Sequence, residues 1–194
     1  MFEGLTFKVA NRQERVRAIE IRGEIFREEV GHHEVDEFDE GAHHLIVSDE
    51  HGDIVAASRI VGPEHRPLEI ERYVVLSTFL DETRAPAQTG RLWIRPDHRK
   101  VSKDVFIPAG MFKLAYIFAR TRGITDFVMY AYPQLIPFYR KAFYVSTNIV
   151  FEHPAWGAVY VMHLDLLEFE RRHRLSDEPM ARLVFRTNLP NFLV

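Results

Sequence analysis

Apolar and polar positions along this 194-residue chain change period several times, and each change marks an element. Leu5, Phe7 and Val9 alternate with polar neighbours, which predicts a strand over Leu5–Ala10 with one buried face. Asn11 follows as an N-cap with Glu14 three residues on, the pattern of a capping box. Val16, Ile19, Ile21, Ile25 and Phe26 then carry a helix to about Gly31. Two β-rich runs, His44–Ser48 and Ile54–Ile60, are joined by Asp49-Glu50-His51-Gly52-Asp53, a turn by composition. Gly62–Arg66 is turn-like. Residues 67–90 are the least regular, and a short helix around Val74–Leu80 and a loop through Pro86 and Gly90 are expected there.

The pattern is sharpest between Arg91 and Gly123. Leu92, Trp93 and Ile94 make a short apolar run suited to a buried strand. A basic, proline-broken loop runs from Arg95 to Lys103, and a helix starts near Pro108, whose fixed φ suits a first turn. Phe112, Tyr116 and Ala119 recur at helical spacing, and Gly123 sits where a C′ glycine belongs. Further on, Asp126–Tyr132 alternates as a strand, Leu135–Phe143 reads as a short helix, and Tyr144–Phe151 and Val159–Leu166 read as strands. Residues 167–194 are charged and then apolar again, which suggests a C-terminal helix or arm on the body. Strands lead, one long helix crosses over, and strands return. The expected class is α/β: one domain over residues 1–194, with helices on both faces of a central, mostly antiparallel mixed sheet.

Composition removes several classes of function. Net charge of −3 argues against bulk nucleic-acid binding, and the absence of cysteine excludes disulfides, thiolate zinc sites and a cysteine nucleophile. The first residues carry no apolar signal core and no run reaches the roughly 18 apolar residues of a membrane span, so a cytoplasmic protein is expected. His32, His33, His43 and His44 lie near Glu34, Asp36 and Asp39, but no recognised ligand spacing appears and no metal is expected.

Strand, basic loop and helix N-terminus together form a place for a phosphate, because free backbone N–H groups and the helix dipole both face an anion. Arg95, Arg99, Lys100 and Lys103 add positive charge beside that site, suited to an anionic ligand and to an acidic surface. An apolar slot has candidate walls in Phe106, Ile107, Met111, Phe127, Met129, Phe138, Phe143, Phe151 and Trp156.

Arg91-Leu92-Trp93-Ile94-Arg95-Pro96-Asp97-His98-Arg99 resembles the RLxVxPxxR strand and loop of the GNAT acyltransferase superfamily, and Phe138-Tyr139-Arg140-Lys141 resembles its FYxK helix. Two departures are visible: no glycine follows Arg99 until Gly110, and the second motif ends in Phe143-Tyr144. Arg22, Phe26, Asp36, Phe38, Asp39, His44 and Arg59 are similar in pattern to the acyl-homoserine-lactone synthases and the long-chain N-acyl amino acid synthases. A tryptophan common to lactone synthases is missing from 27–35, and Gln88 stands where a glutamate is often found, which favours the amino acid branch.

The resemblance implies a GNAT-like fold and an enzyme, an N-acyltransferase. It would move a long acyl group from acyl carrier protein or acyl-CoA to the amine of an amino acid or related small molecule. No permanently bound cofactor is implied. A lactone synthase, an acetyl-CoA N-acetyltransferase and a non-catalytic acyl-carrier-binding module are the alternatives. The Ile94 backbone N–H is the implied oxyanion donor and Tyr139 the implied acid for the leaving thiolate. Glu34, Asp36, a water-mediated route and Glu71 are open as the base. Candidate substrate contacts are Arg22, Phe26, Asp39, Arg59, Arg91 and Trp93, the arginines forming a cluster tied by Asp36 and Asp39 that shapes the acceptor pocket or binds a carboxylate. Candidate donor contacts are Arg95, Arg99, Lys100, Lys103 and Gly110.

Overall fold

The computed structural model describes residues 2–99, 107–188 and 191–194. Its strands are β1 (Thr6–Val9), β2 (His43–Ser48), β3 (Ile54–Val61), β4 (Pro86–Ile94), β5 (Asp126–Ala131), β6 (Val145–His153), β7 (Gly157–Asp165) and β8 (Phe192–Leu193). They form one sheet in the order β6-β7-β5-β4-β3-β2-β1-β8. Only β1–β8 and β4–β5 pair in parallel; the other neighbours are antiparallel. The helices are α1 (Arg12–Val30), α2 (Ile107–Thr121), α3 (Ile136–Lys141), α4 (Leu166–His173) and α5 (Pro179–Arg186).

Side-chain alternation in β2 puts one helix on each face. Leu45 and Val47 join the core cluster built on α2, whereas Ile46 between them joins Ala18, Ile21 and Ile25 of α1. α1 begins as its sequence predicts. The Asn11 side chain accepts from Gln13 N and Glu14 N, Glu14 returns a bond to Asn11 N at 3.0 Å, and Gly31 closes the helix at φ 77°.

Three expectations change. The loop expected through Pro86 and Gly90 is the first half of β4. Pro86 is tolerated as the first residue of a strand, and small or polar residues at 87–90 hide a strand that is paired on both sides at its start. The helix expected over Val74–Leu80 is only a 3-10 turn at Leu76–Thr78. The C-terminal arm comprises two helices and a strand. α5 lies on α2, β8 pairs with β1, and Phe192 stacks on Phe7 with centroids 4.5 Å apart. Lys113, buried within α2, donates to the carbonyls of Leu183 (2.7 Å), Val184 and Thr187, so a core ammonium caps the end of α5.

The feature that positions the site is a fork in the sheet. β4 pairs with β5 only from Pro86↔Asp126 to Gln88↔Val128, while its antiparallel pairing with β3 continues to Ile94. Beyond Gln88 the two parallel strands therefore separate and leave one edge of β4 open. Within that open stretch β4 carries a bulge. Ala57 opposes Trp93 but Arg59 opposes Gly90, so β4 has one extra residue, and Arg91 takes up the left-handed conformation at φ 53°. The bulge breaks the alternation: Arg91 joins a cluster of carboxylates, Leu92 lines the fork, and Trp93 turns toward α1.

Candidate active site

Behind the bulge, three guanidinium groups meet four carboxylates. Arg22, almost wholly buried, donates its Nε to the Glu34 carbonyl at 2.7 Å and its Nη2 to Asp39. Arg59, equally buried, donates through Nη1 to Asp36 and Asp39 and through Nη2 to Glu69 at 3.0 Å. Arg91 reaches Tyr130 (3.1 Å) through Nη1 and both Asp36 (3.1 Å) and Glu69 (2.9 Å) through Nη2. Its Nε lies 2.9 Å from Glu34 in an ion pair without hydrogen-bond alignment. The local sequence explains the acidic half. Asp36 and Asp39 form the capping box of a 3-10 turn, Asp36 accepting from Phe38 N and Asp39 accepting from Asp36 N.

Charges this close move one another. Burial alone would raise the Asp39 carboxyl, but the hydrogen bond and charge of Arg22, with Arg59, hold it at about 2. Asp36 is also lowered, burial being outweighed by Arg59 and Arg91. Glu34 goes the other way. Burial raises it, Arg91 opposes, and the neighbouring Glu69 and Asp36 add to the rise. Burial works against the charge on Arg91, yet Tyr130, Glu69 and Glu34 outweigh it and keep that residue firmly protonated. His44 is pushed down to about 4 by burial and by Arg22, so it is neutral, its Nε2 unpartnered at 3.6 Å from Asp39.

A pH dependence of stability follows. His44 titrates at about 4 in the fold against an ordinary 6.5, and Asp39 at about 2 against 3.8. Both folded values are depressed, so both contributions are complete above the ordinary values and are lost on acidification. Stability should fall by about 3 kcal/mol between pH 6.5 and 4, where the unfolded chain takes up a proton that folded His44 refuses. A second fall comes below pH 4, from Asp39. Urea titrations across this range check it, and His44→Leu should flatten the first segment only.

The fork itself is a cleft with three connected parts, all lined by Leu92 and Tyr139. The inner part, about 80 Å³, is apolar, with Gly90, Met111, Met129 and Phe138 on its walls. A second part, about 350 Å³, opens between α1, the end of β4 and α3, beside Phe26, Trp93, Ile94 and Arg99. The third, about 120 Å³, is bordered by Phe26, Arg91, Tyr130, Tyr132, Tyr139 and Trp156. Arg95 N donates to the Val55 carbonyl across the β3 pairing, so strand alternation turns the N–H and C=O of Ile94 away from β3, into the fork. Burial pushes the Tyr139 phenol up to about 12.

Several candidate residues sit elsewhere than expected. Arg22, Asp39 and Arg59 are buried behind the cleft, so they hold Asp36, Glu69 and Arg91 in place rather than touch a substrate. Trp93 is 4% exposed; it is a core residue of the α1 face that reaches one wall. Gly110, expected in a phosphate cradle, faces the sheet: a Cβ there would lie 2.4 Å from Phe7, so its smallness serves close helix–strand packing. Arg95 is tied to the Ile54 carbonyl, and Arg99 to the Ile94 carbonyl and Glu29. Lys100, Lys103 and Phe106 lie outside the described residues. Glu71 pairs with Arg66 and caps the turn at Leu68, away from the cluster; Glu69, two residues earlier, is the carboxylate that enters it. Phe143 packs on Phe169 and His173, and Phe151 stacks on Tyr73, both outside the cleft walls.

Sequence reasoning missed Glu69, Tyr130 and His153. Tyr130 donates to Glu69 at 2.7 Å, and His153 lies against its ring at 5.3 Å. Gln88 bridges Glu69 and Ile70 N, so its neutral amide completes the network. Among the described residues no group of three or more histidine, aspartate or glutamate side chains is placed to hold a metal, and no helix is long and apolar enough to cross a membrane.

Comparison with known proteins agrees with this geometry. Residues 15–107 match the model of the acetyltransferase (GNAT) domain. No curated protein matches the chain in sequence. Among solved structures, FeeM, an N-acyl amino acid synthase from uncultured soil microbes, aligns with a TM-score of 0.72 at 13% identity, over 86% of this chain and 94% of its own. The CoA-dependent acyl-homoserine lactone synthase BjaI, solved with SAM and isopentyl-CoA, aligns at 0.68 and 17% identity, over 98% and 93%. An acyl-CoA N-acyltransferase from Pseudomonas aeruginosa aligns at 0.59 and 18%, over 82% and 97%. The fold is that of the GNAT acyltransferases.

Proposed function

On the fold of the GNAT acyltransferases, we propose that this protein transfers a long acyl group from a pantetheine thioester, carried by acyl carrier protein or CoA, to the amine of a small molecule of amino-acid size. The observation that carries the proposal is the fork: the open edge of β4 from Thr89 to Ile94 borders an apolar cleft at one end and an ionic cluster at the other. A thioester laid along that edge would set its carbonyl oxygen at the N–H of Ile94 and its acyl chain beside Gly90.

The chemistry is aminolysis. The acceptor enters as an ammonium and loses one proton to Glu34, which burial makes a stronger base than an ordinary carboxylate. The freed nitrogen attacks the thioester carbon, a C–N bond forms, and the C–S bond breaks as the tetrahedral intermediate collapses. Tyr139 donates a proton to the departing thiolate, which ends as a thiol, and the second proton of the nitrogen restores the Tyr139 phenol. Glu34 returns its proton to solvent. Asp36, held ionised by Arg59 and Arg91, is a poorer base than Glu34.

The test supplies palmitoyl carrier protein, palmitoyl-CoA and acetyl-CoA in turn, each with pooled small amines, amino acids or S-adenosylmethionine, and reads products by mass spectrometry. Long-chain amides are the expected result, and the better of the two long-chain donors identifies the carrier. An acyl lactone would make the protein a lactone synthase, acetylated products alone an acetyltransferase, and donor binding without any turnover a binding module. Gly90 sharpens the experiment. A Cβ there meets nothing within 4 Å, so Gly90→Leu should enter the inner cleft without disturbing the strand. Palmitoyl transfer should fall at least tenfold while short acyl donors are spared; equal loss for every chain length would remove the inner cleft from the acyl path.

A further inference from the structure

We infer that the acceptor is an amine carried on an aromatic or similarly flat apolar body with no carboxylate beside it, an arylalkylamine rather than an α-amino acid. This deepens the transfer reading above and rests on it for the identity of the pocket as the acceptor site. The first argument is charge. Arg91 is the only cation lining the 120 Å³ part of the cleft among the described residues, and it is already shared by Glu34, Asp36, Glu69 and the Tyr130 hydroxyl. Arg22 and Arg59 behind it are committed to Asp39, Asp36 and Glu69. Three guanidiniums against four carboxylates leave the cluster with a surplus of negative charge. An incoming carboxylate would find no open fork and would face Glu34 and Asp36; an incoming ammonium meets the surplus.

The second argument is shape. Phe26, Tyr130, Tyr132, Tyr139 and Trp156 supply aromatic faces and edges, with Trp156 edge-on to Phe26 (6.2 Å) and Tyr132 (5.6 Å). The volume of about 120 Å³ is near the roughly 150 Å³ of a cavity that holds one benzene ring. Such walls attract a ring by stacking and an ammonium by its charge over π faces. Glu34 lies 2.9 Å from the Nε of Arg91, so a carboxylate stands directly behind the one cation that lines the pocket among the described residues. An amine one or two carbons from a ring would then bring its nitrogen toward Glu34 while its ring fills the aromatic box.

Binding and turnover are measured side by side. Calorimetric titration of the intact protein compares 2-phenylethylamine, phenylalanine and phenylalaninamide, the last restoring the bulk of the amino acid without its charge. Phenylethylamine and phenylalaninamide should bind at least tenfold more tightly than phenylalanine, and Trp156→Ala should weaken phenylethylamine at least tenfold. Phenylalanine binding as well as its amide, or no binding by either amine, overturns the inference. With palmitoyl donors, the amine should be acylated in preference to the amino acid. Preferential acylation of phenylalanine overturns the inference but keeps the transferase reading. Tight amine binding without transfer keeps the inference and overturns that reading.

Discussion

Replacing Arg59 by alanine should lower the free energy of unfolding by about 3–5 kcal/mol, the scale on which a buried ion pair fails when one partner is removed. Arg59 is 2% exposed, and its two terminal nitrogens serve three acidic side chains. Without it, Asp36, Asp39 and Glu69 would share a water-poor space with only Arg22 and Arg91 to balance them. The carboxylates would respond by taking up protons, so part of the loss should be recovered at low pH relative to the parent. Arg59→Lys should recover only a fraction, because an ammonium cannot span Asp39 and Glu69 at once. Urea denaturation at two pH values measures both effects. A loss below 1 kcal/mol would mean that the cluster does not hold these charges as described.

Glu34→Gln carries the largest expected effect on turnover. The amide keeps the shape and an acceptor oxygen toward Arg91, so folding should be little changed, but it cannot take a proton. Removal of a positioned base typically costs 10²–10⁴ in rate. In the parent, turnover should rise with pH through the raised Glu34 value, since only the ionised carboxylate accepts the proton. That acidic limb should vanish in the variant, leaving a slow rate set by the fraction of free amine. An unchanged limb with unchanged rate would remove Glu34 from the proton path and point to Glu69, which shares Arg91 with it, or to His153, 3.9 Å from Glu69.

Local signals in the sequence carried local structure well. The capping box at Asn11, the glycine at 31 and the β-rich run of β2 each depend on a few adjacent residues, and each reads directly. β4 was half hidden because its first residues are Pro86, Ala87, Gln88, Thr89 and Gly90, a set that satisfies strand geometry only through partners far away in the chain. The ionic cluster was legible where residues matched a recognised pattern: Arg22, Asp36, Asp39, Arg59 and Arg91. Their roles were less so. Burial separates Arg22, Asp39 and Arg59 from the cleft, and nothing in the order of residues encodes burial of a charge. Glu69 and Tyr130 come from an irregular segment and from a strand end, and only the fold brings them to Arg91. Gly110 misled because a glycine at a helix start suits an anion as well as close packing, and contact with Phe7 decides between them.

The account depends on an acyl chain running into the fork between β4 and β5. A palmitoyl-pantetheine thioether bearing a photoreactive diazirine near the chain end tests that path directly, with labelled peptides identified by mass spectrometry. Labelling should fall on Met111, Met129 and Ala142, around the inner cleft, and should be displaced by unlabelled palmitoyl donor. Labelling confined to residues outside the fork, or undiminished by the competing donor, would contradict the account.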